Sequence, residues 1–389
     1  MYAEAMRSPI QGTGVRYTLG GESYEAFIPN TLPPDPEITL LGKLRRELSH
    51  ADQMLGRLDG LSTLIRHPEM LIRFYMQKEA VLSSQIEGTQ STLSELLLFE
   101  IEPESGSSDT AEVANYVRAM RHGLKRMEDG FPLSLRLIRE MHKILLSSGR
   151  GNRSTPGEFR TSQNWIGGSR PGNALYVPPP VIEMEKALHA FEKFLHEGAT
   201  EYPVLVQCAM LHVQFESIHP FLDGNGRLGR LLVTLLLVER GVLAQPLLYM
   251  SLYLKQNRDE YYRLLQAVRY EDAWEEWISF FLVGAANTAG AAVILAKSIL
   301  KLFDEDEERL KDMGARRGSA RQVLFQMRET PFTSAKRLAQ STELSINTVN
   351  SSLIALREAG IVDEVPGLRR RLFIYRSYID MMDEGAAAN

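Results

Sequence analysis

Residues 219–230 read His-Pro-Phe-Leu-Asp-Gly-Asn-Gly-Arg-Leu-Gly-Arg, so one short stretch carries a base, an oxygen ligand for a cation, a glycine-flanked turn and two arginines. The two glycines beside Asn225 let backbone amides approach an anion with no Cβ in the way. The apolar run from Leu228 through Leu237 predicts a helix that begins within this stretch. A phosphate suits that N-terminus, where amides are unpaired and the helix dipole is positive. Arg227 and Arg230, three apart, leave neighbouring points of the first turn and are able to hold separate phosphates. Asp223 is an oxygen donor suited to Mg²⁺, and His219, neutral at pH 7, stands just upstream as a base. Taken singly, His-Pro is a turn and Asp-Gly-Asn-Gly a tight connection or part of a calcium loop. Together they describe a site for the phosphates of a nucleotide.

The stretch resembles the signature of the Fic family, His-x-Phe-x-(Asp/Glu)-Gly-Asn-Gly-Arg-x-x-Arg, and every specified position is filled. Fic enzymes transfer AMP from ATP to a protein hydroxyl. The resemblance implies His219 as the catalytic base, Asp223 as the Mg²⁺ ligand, and Gly224, Asn225, Gly226, Arg227, Gly229 and Arg230 as the residues that cradle the ATP phosphates. The Asn225 side chain is included in that cradle, and Phe221 is read as a hydrophobic peg that seats the loop.

A second site lies upstream, at Ser83-Ser84-Gln85-Ile86-Glu87-Gly88. Leu71, Ile72, Phe74, Tyr75, Val81 and Leu82 form an apolar helical stripe ahead of it, and Gly88 reads as the helix terminator. An acid in a last turn opposes the helix dipole and is ordinarily just solvated. Here Ser83, Glu87 and Gly88 resemble the inhibitory motif (Ser/Thr)-x-x-x-Glu-(Gly/Asn) of Fic proteins, which implies that Glu87 pairs with Arg230. A carboxylate and a γ-phosphate are both anions competing for one guanidinium fork. The resemblance therefore implies a chain that carries its own inhibitor.

Two further sets of residues are assigned by the same resemblance. Tyr261 and Tyr262 stand where relatives hold the adenosine, although Arg269 replaces an asparagine that in some relatives reads the base. Between Gly149 and Pro180 the helical period vanishes, and the segments around 164–167 and 174–177 flank a Gly168-to-Gly172 turn, a hairpin signal in a helical chain. Its plain reading is a surface hairpin capping the core. In the Fic family a hairpin here, the flap, pairs with the backbone of the target, which implies Trp165, Ile166, Tyr176 and Val177 as target-binding residues.

The elements that must position these residues are mostly helical. Helical patterns run at about 37–59, 68–87, 109–128, 134–147, 181–196, 202–217, 227–240, 258–269 and 272–301, after forty residues rich in Gly and Pro that read as an extended arm. The fold class expected is mainly α: a Fic-type helical core with a small β-hairpin flap and a C-terminal winged helix-turn-helix. Residues 1–120 are read as an N-terminal helical region bearing the inhibitory helix, 121–303 as the catalytic core, 304–314 as an acidic linker or helix end, and 315–389 as the winged-helix domain and tail.

That last division rests on charge and pattern. The chain has 389 residues, 44% hydrophobic and 24% charged, with a net charge of −5. Residues 315–376 hold 11 Lys+Arg against 5 Asp+Glu, a balance of +6 that leaves −11 for the rest. Helices over 317–329, 333–340 and 345–360, then a strand at 361–365, a Pro-Gly turn and Arg369-Arg370-Arg371 before a second strand, resemble a winged helix. Asn347, Thr348 and Asn350 stand where such a module reads DNA, and the arginines ride on its wing; many such modules mediate protein contacts instead. DNA through 315–376 and a homodimer are thus candidate partners beside ATP and a protein substrate. The apolar stretch 280–296 contains Asn287 and Thr288 and is read as a buried or dimer-facing helix, not a membrane span. The lone Cys208 is read as a buried thiol, and residues 1–10 lack the apolar core of a signal peptide, which makes the expected location cytoplasmic. The expected function is a self-inhibited protein adenylyltransferase. The alternatives are removal of AMP by the same loop, or a DNA-binding regulator with a nucleotide-sensing body.

Overall fold

The structure, a computed structural model, describes residues 11–64, 68–102, 104, 106–149, 151, 154–197, 202–365 and 371–384. Eleven helices precede the C-terminal segment: α1 Gly42–Leu64, α2 Pro68–Ile86, α3 Leu93–Phe99, α4 Ser108–Glu128, α5 Leu135–Leu145, α6 Val181–Glu197, α7 Val204–Ile218, α8 Asn225–Glu239, α9 Ser251–Gln256, α10 Arg258–Glu271 and α11 Trp274–Arg309. Four more follow, α12 Arg317–Glu329, α13 Ala335–Thr342, α14 Ile346–Glu358 and α15 Arg376–Glu384. The fold is mainly α, as expected.

The centre is α7. Its residues 205–218 are all buried, and its apolar character on every side suits a helix surrounded by protein. It packs on α8, α6 and α11 and so holds its C-terminal end, His219, against the N-terminus of α8. α11 has the length and apolarity of a membrane span, but α1 lies along it and most of its apolar window is buried inside the fold. Cys208 is buried in α7, and burial pushes its thiol up, which suits an inert core residue.

The first forty residues correct the sequence reading. They include a β-hairpin, β1 Gly12–Leu19 paired antiparallel with β2 Glu22–Pro29, turned by Gly20 (φ 60°) and Gly21 (φ 85°). Both turn residues need left-handed backbone, which glycine adopts freely. The expected flap hairpin is smaller than predicted, a single bridge between Ile166 and Tyr176. It leans on the N-terminal hairpin, since Phe27 N donates to Val177 O at 2.9 Å.

In the C-terminal segment, three short strands, β3 Phe332–Ser334, β4 Asp363–Val365 and β5 Leu372–Ile374, form a sheet in the order β3-β5-β4. The predicted helix from 333 begins instead at 335, capped by Ser334. The acidic run 304–308 is helical, the end of α11, and Asp306 within it is buried against the Tyr375 hydroxyl instead of solvated. Arg369 and Arg370 lie outside the described residues. The helix α15, unforeseen, docks the segment on the body: Lys78 Nζ of α2 donates to Met382 O at 3.1 Å.

Candidate active site

His219 ends α7 in the left-handed region, with φ 47°. That conformation costs a non-glycine residue on the order of 1 kcal/mol or more, and two hydrogen bonds hold it. The His219 N–H donates to Phe215 O (2.9 Å) and its carbonyl accepts from Arg160 Nε (3.0 Å). Arg160 is buried and also donates to the carbonyls of Ser162 (3.2 Å) and Pro179. One guanidinium thus ties the flap segment to the end of α7. Burial, then the charges of Arg160 and Arg269, push the His219 imidazole down to about 3, so it is neutral at pH 7. Its Nδ1 is buried with no hydrogen-bond partner among the described residues.

The loop that follows is closed by its own asparagine. Asn225 Oδ1 accepts from Phe221 N (2.9 Å) and Nδ2 donates to Phe221 O (2.8 Å). Both side-chain groups are thus engaged by the loop itself, so Asn225 first of all holds the turn that presents the amides, and one N–H of its amide remains for a ligand. Phe221 is buried as the expected peg, stacked on His142 with 3.7 Å between ring centroids. His142 Nε2 donates to Asp223 O (3.0 Å) while Nδ1 accepts from Gly157 N (2.8 Å), which fixes one neutral tautomer. Burial brings its imidazole down to about 4.

Gly224 (φ 81°) turns the chain into α8, and Leu228 N donating to Gly224 O (3.0 Å) is the first bond of the helical ladder. The Gly224 amide donates to Asp223 Oδ1 (2.6 Å), so the amides left open at this end are those of Asn225, Gly226 and Arg227. Gly229 corrects the reading again. It lies inside the ladder, a Cβ there would collide with Glu216 Oε1, and its carbonyl accepts from His212 Nδ1 (3.2 Å). Its role is close packing of α7 on α8, not phosphate contact.

The arginines are both buried. Arg227 Nη1 meets Glu112 Oε2 at 3.2 Å, and its Nη2 lies 3.5 Å from Asp223 Oδ1. Arg230 donates from Nε to Ser83 Oγ (2.9 Å) and from Nη2 to both Ser83 O (3.0 Å) and Glu87 Oε1 (2.7 Å). The Glu87 carboxylate lies against Gly226, where a Cβ would collide with Oε1. It therefore sits at the first turn of α8, where the open amides and the dipole favour an anion. Burial raises the Glu87 carboxyl, and Arg230, by charge and hydrogen bond, more than offsets this and leaves it lowered. Two other carboxyls that sense Arg230, Glu79 and Glu216, are pushed up to about 7 by burial.

The two tyrosines divide. Tyr261 is a core residue, 1% exposed, with its hydroxyl 2.8 Å from His212 Nε2, which corrects its adenosine assignment. Tyr262 is 37% exposed, beside the Glu87–Arg230 pair, with the Arg258 guanidinium 5.1 Å from its ring centre. Arg269 lies on the His219 side: it donates to Ser217 Oγ (2.9 Å) and stacks on Tyr176 at 3.9 Å. In the flap, the side chains of Tyr176 and Val177 are buried, with the Tyr176 hydroxyl donating to Ser217 O (2.6 Å), so any meeting with a target is left to the backbone, where Val177 O already accepts from Phe27 N. The Ile166 backbone is likewise bonded to Leu175 and Tyr176, within the flap. Trp165 remains exposed, as do Leu175 and, on the loop, Leu222.

No group of three or more His, Cys, Asp or Glu able to hold a metal exists among the described residues. Asp223, 41% exposed, suits a Mg²⁺ that takes one protein carboxylate and otherwise phosphates and water. Sequence reasoning missed His142, Glu112 and Glu79, since each reaches the site from a distant segment, and Glu216, which precedes His219 by three residues but belongs to no motif.

Comparison with known proteins agrees with this geometry. The Fic/DOC family N-terminal model matches residues 45–125 and the Fic/DOC family model residues 132–237. The protein adenylyltransferase Fic of Drosophila yakuba is 30% identical over 163 residues, 41% of this chain and 30% of the relative. That of Aedes aegypti is 34% identical over 141 residues, 36% of this chain and 25% of the relative. The chain thus spans less than a third of the length of these curated relatives. A solved Fic family protein from Desulfovibrio desulfuricans G20 has the same fold, with a TM-score of 0.56 at 20% identity, over 88% of this chain and 98% of that one. With both halves of the helical body matched, the loop complete and the fold shared, this chain belongs to the Fic family.

Proposed function

We propose that this chain is a self-inhibited protein adenylyltransferase, which moves AMP from ATP to a Ser, Thr or Tyr hydroxyl of a protein, its own chain included. The observation that carries the reading is the Glu87 carboxylate on Arg230 at the N-terminus of α8, one anion standing where another would bind. With Glu87 displaced, the open amides of Asn225, Gly226 and Arg227 and the freed Arg230 guanidinium would receive the triphosphate. Asp223 would hold Mg²⁺, which when bound neutralises charge on the phosphates.

His219 takes the proton of the target hydroxyl as its oxygen attacks the α-phosphorus. The bond from that phosphorus to the bridging oxygen breaks, and pyrophosphate leaves with the electron pair. A base of this kind contributes about 10²–10⁴-fold. The low pKa of His219 reflects two cations and burial, and the negative charge of a bound triphosphate raises it toward the working range. The exposed Trp165, Leu175 and Leu222 offer apolar footing for target residues beside the hydroxyl.

For the C-terminal segment we propose a winged helix. Its helix-strand-helix-helix-strand-strand order and β3-β5-β4 sheet support that reading. The function is tested by incubating the purified chain with ATP and lysate proteins and searching for AMP adducts by mass spectrometry. The wild type is expected to form adducts, and His219→Ala none, while binding nucleotide as before. Transfer by His219→Ala at the wild-type rate removes the base from the mechanism.

A further inference from the structure

The grip of Glu87 on Arg230 is steadied from a second side. The last carbonyl of α2, Ile86 O, accepts from Arg258 Nε at 3.3 Å, and Gln85 Oε1 accepts from Lys255 Nζ at 2.9 Å. Arg258 therefore caps the C-terminal end of α2, where unpaired carbonyls and the dipole attract a cation, and Lys255 holds the neighbouring Gln85 side chain. The carbonyl of Ile86 belongs to the same rigid peptide unit as the nitrogen of Glu87. The other edge of that unit is also held, by Glu87 N donating to Ser84 O at 3.1 Å. Fixing both edges fixes the direction in which the Glu87 side chain leaves the backbone.

Arg258 has a second contact. It is four residues before Tyr262 on α10, hence on the same face, and its guanidinium lies 5.1 Å from the centre of the Tyr262 ring. Tyr262 is half-exposed beside Glu87 and Arg230, and is the tyrosine of its pair left available to a flat ligand. A nucleobase stacking on the side of the ring where Arg258 rests would have to displace the guanidinium.

We propose that Arg258 is a positioning residue that couples the Tyr262 face to the inhibitory contact, so that a purine base stacked there displaces the guanidinium from Ile86 O and loosens Glu87. This inference rests on the reading of Glu87 as an inhibitor. The nucleotide thereby acts twice, with its phosphates on the anion site and its base on the brace.

The test uses the full chain and two measurements. Hydrogen exchange without nucleotide reads the amides of Glu87, Gly88 and Thr89, which donate to Ser84 O, Gln85 O and Ser84 O. Arg258→Ala is expected to speed exchange at these amides. Arg258→Lys, which keeps the charge but loses the planar fork, is expected to do so less. Calorimetry then measures ATP binding to wild type, Arg258→Ala, Glu87→Gly and the double variant. Arg258→Ala is expected to tighten ATP roughly three- to tenfold in the wild type, the scale of one ordinary hydrogen bond, and to add nothing in the Glu87→Gly background. Unchanged exchange at 87–89 in both Arg258 variants overturns the proposal, as does an equal effect with and without Glu87. Should the chain bind no ATP at all, the functional reading falls, while the exchange measurement still reports whether Arg258 braces Glu87. If Arg258→Ala is too unstable to study, the lysine variant carries both measurements.

Discussion

Replacing Glu87 by glycine should turn the chain from closed to open, and the structure sets the size of the effect. The carboxylate makes one charge-assisted bond to Arg230, at 2.7 Å. Bonds to charged groups contribute about 1.5–3 kcal/mol. The Glu87 side chain is 37% exposed, so solvent screening puts the figure at the low end, about 1.5–2 kcal/mol. At about 1.4 kcal/mol per tenfold, ATP should bind Glu87→Gly roughly 10- to 30-fold more tightly than wild type, with adduct formation rising in step. Arg230 should not collapse, because Ser83 still accepts from its Nε and Nη2. Glu79 and Glu216, held near neutral by burial, are ready to ionise beside the unpaired cation. ADP, which has no γ-phosphate to compete for the guanidinium, should gain much less. Adding Arg230→Ala to Glu87→Gly should erase the gain, since the residue released is then absent. Calorimetry with both nucleotides, beside a count of adducts, decides the matter. Equal ATP affinity and equal transfer in wild type and Glu87→Gly would refute the competition.

Asp223→Ala should lower transfer, and so should chelation of divalent ions; activity indifferent to a chelator would remove Asp223 as a metal ligand. Stability should fall with acid in two stages. Between about pH 6.5 and 4.5 the unfolded chain takes three protons that the buried His142, His212 and His219 refuse, and lacks two that the buried Glu79 and Glu216 hold, a net of one. Below about 4.5 the glutamates become protonated in both states while His142, at about 4, begins to take its own proton in the fold, so the net rises only to about two and the slope steepens from about 1.4 to about 2.5 kcal/mol per pH unit; thermal melts from pH 7 to 3.5 showing no steepening would contradict these protonation states. If the basic C-terminal segment binds DNA, the complex should weaken steeply with salt, and Glu364→Gln should strengthen it, because Glu364 now neutralises Arg357 and Arg371. No gel shift at low salt would favour a protein partner for that segment.

The loop was legible in the sequence because its chemistry demands adjacent residues. A turn, open amides and arginines one helical turn apart have to be written contiguously, and so does the Ser83-to-Gly88 pattern on its own helix end. What supports them was not legible, because His142 and Glu112 act across long separations and leave no local period. The N-terminal hairpin did carry a signal, Gly20-Gly21 between strand-like runs, which the general Gly and Pro content of the region obscured. α3, α9 and α15 hold 7, 6 and 9 residues, too short for a helical period to stand out.

Side-chain roles were hardest to read where one residue type has two uses. Adjacent residues on a helix point about 100° apart, so Tyr261 and Tyr262 could not both face one ligand, and the sequence does not say which turns inward. An asparagine in a phosphate loop has one acceptor and one donor group, and either the ligand or the backbone is able to take them. In this chain the backbone takes both, through Phe221. That assignment has a functional corollary: the anion site is built from main-chain amides and arginine, and Asn225 acts by holding those amides in place. The geometry suited to an anion is therefore already built at the start of α8, and a carboxylate already lies against it. Glu87 is the anion the chain supplies. Its helix is pinned at its middle by Lys78 to the C-terminal segment and at its C-terminal end by Lys255 and Arg258. If Glu87 is the inhibitor proposed above, its release should depend on these contacts as much as on its own ion pair, and changes at Lys255 or Arg258 should alter ATP affinity without touching Arg230.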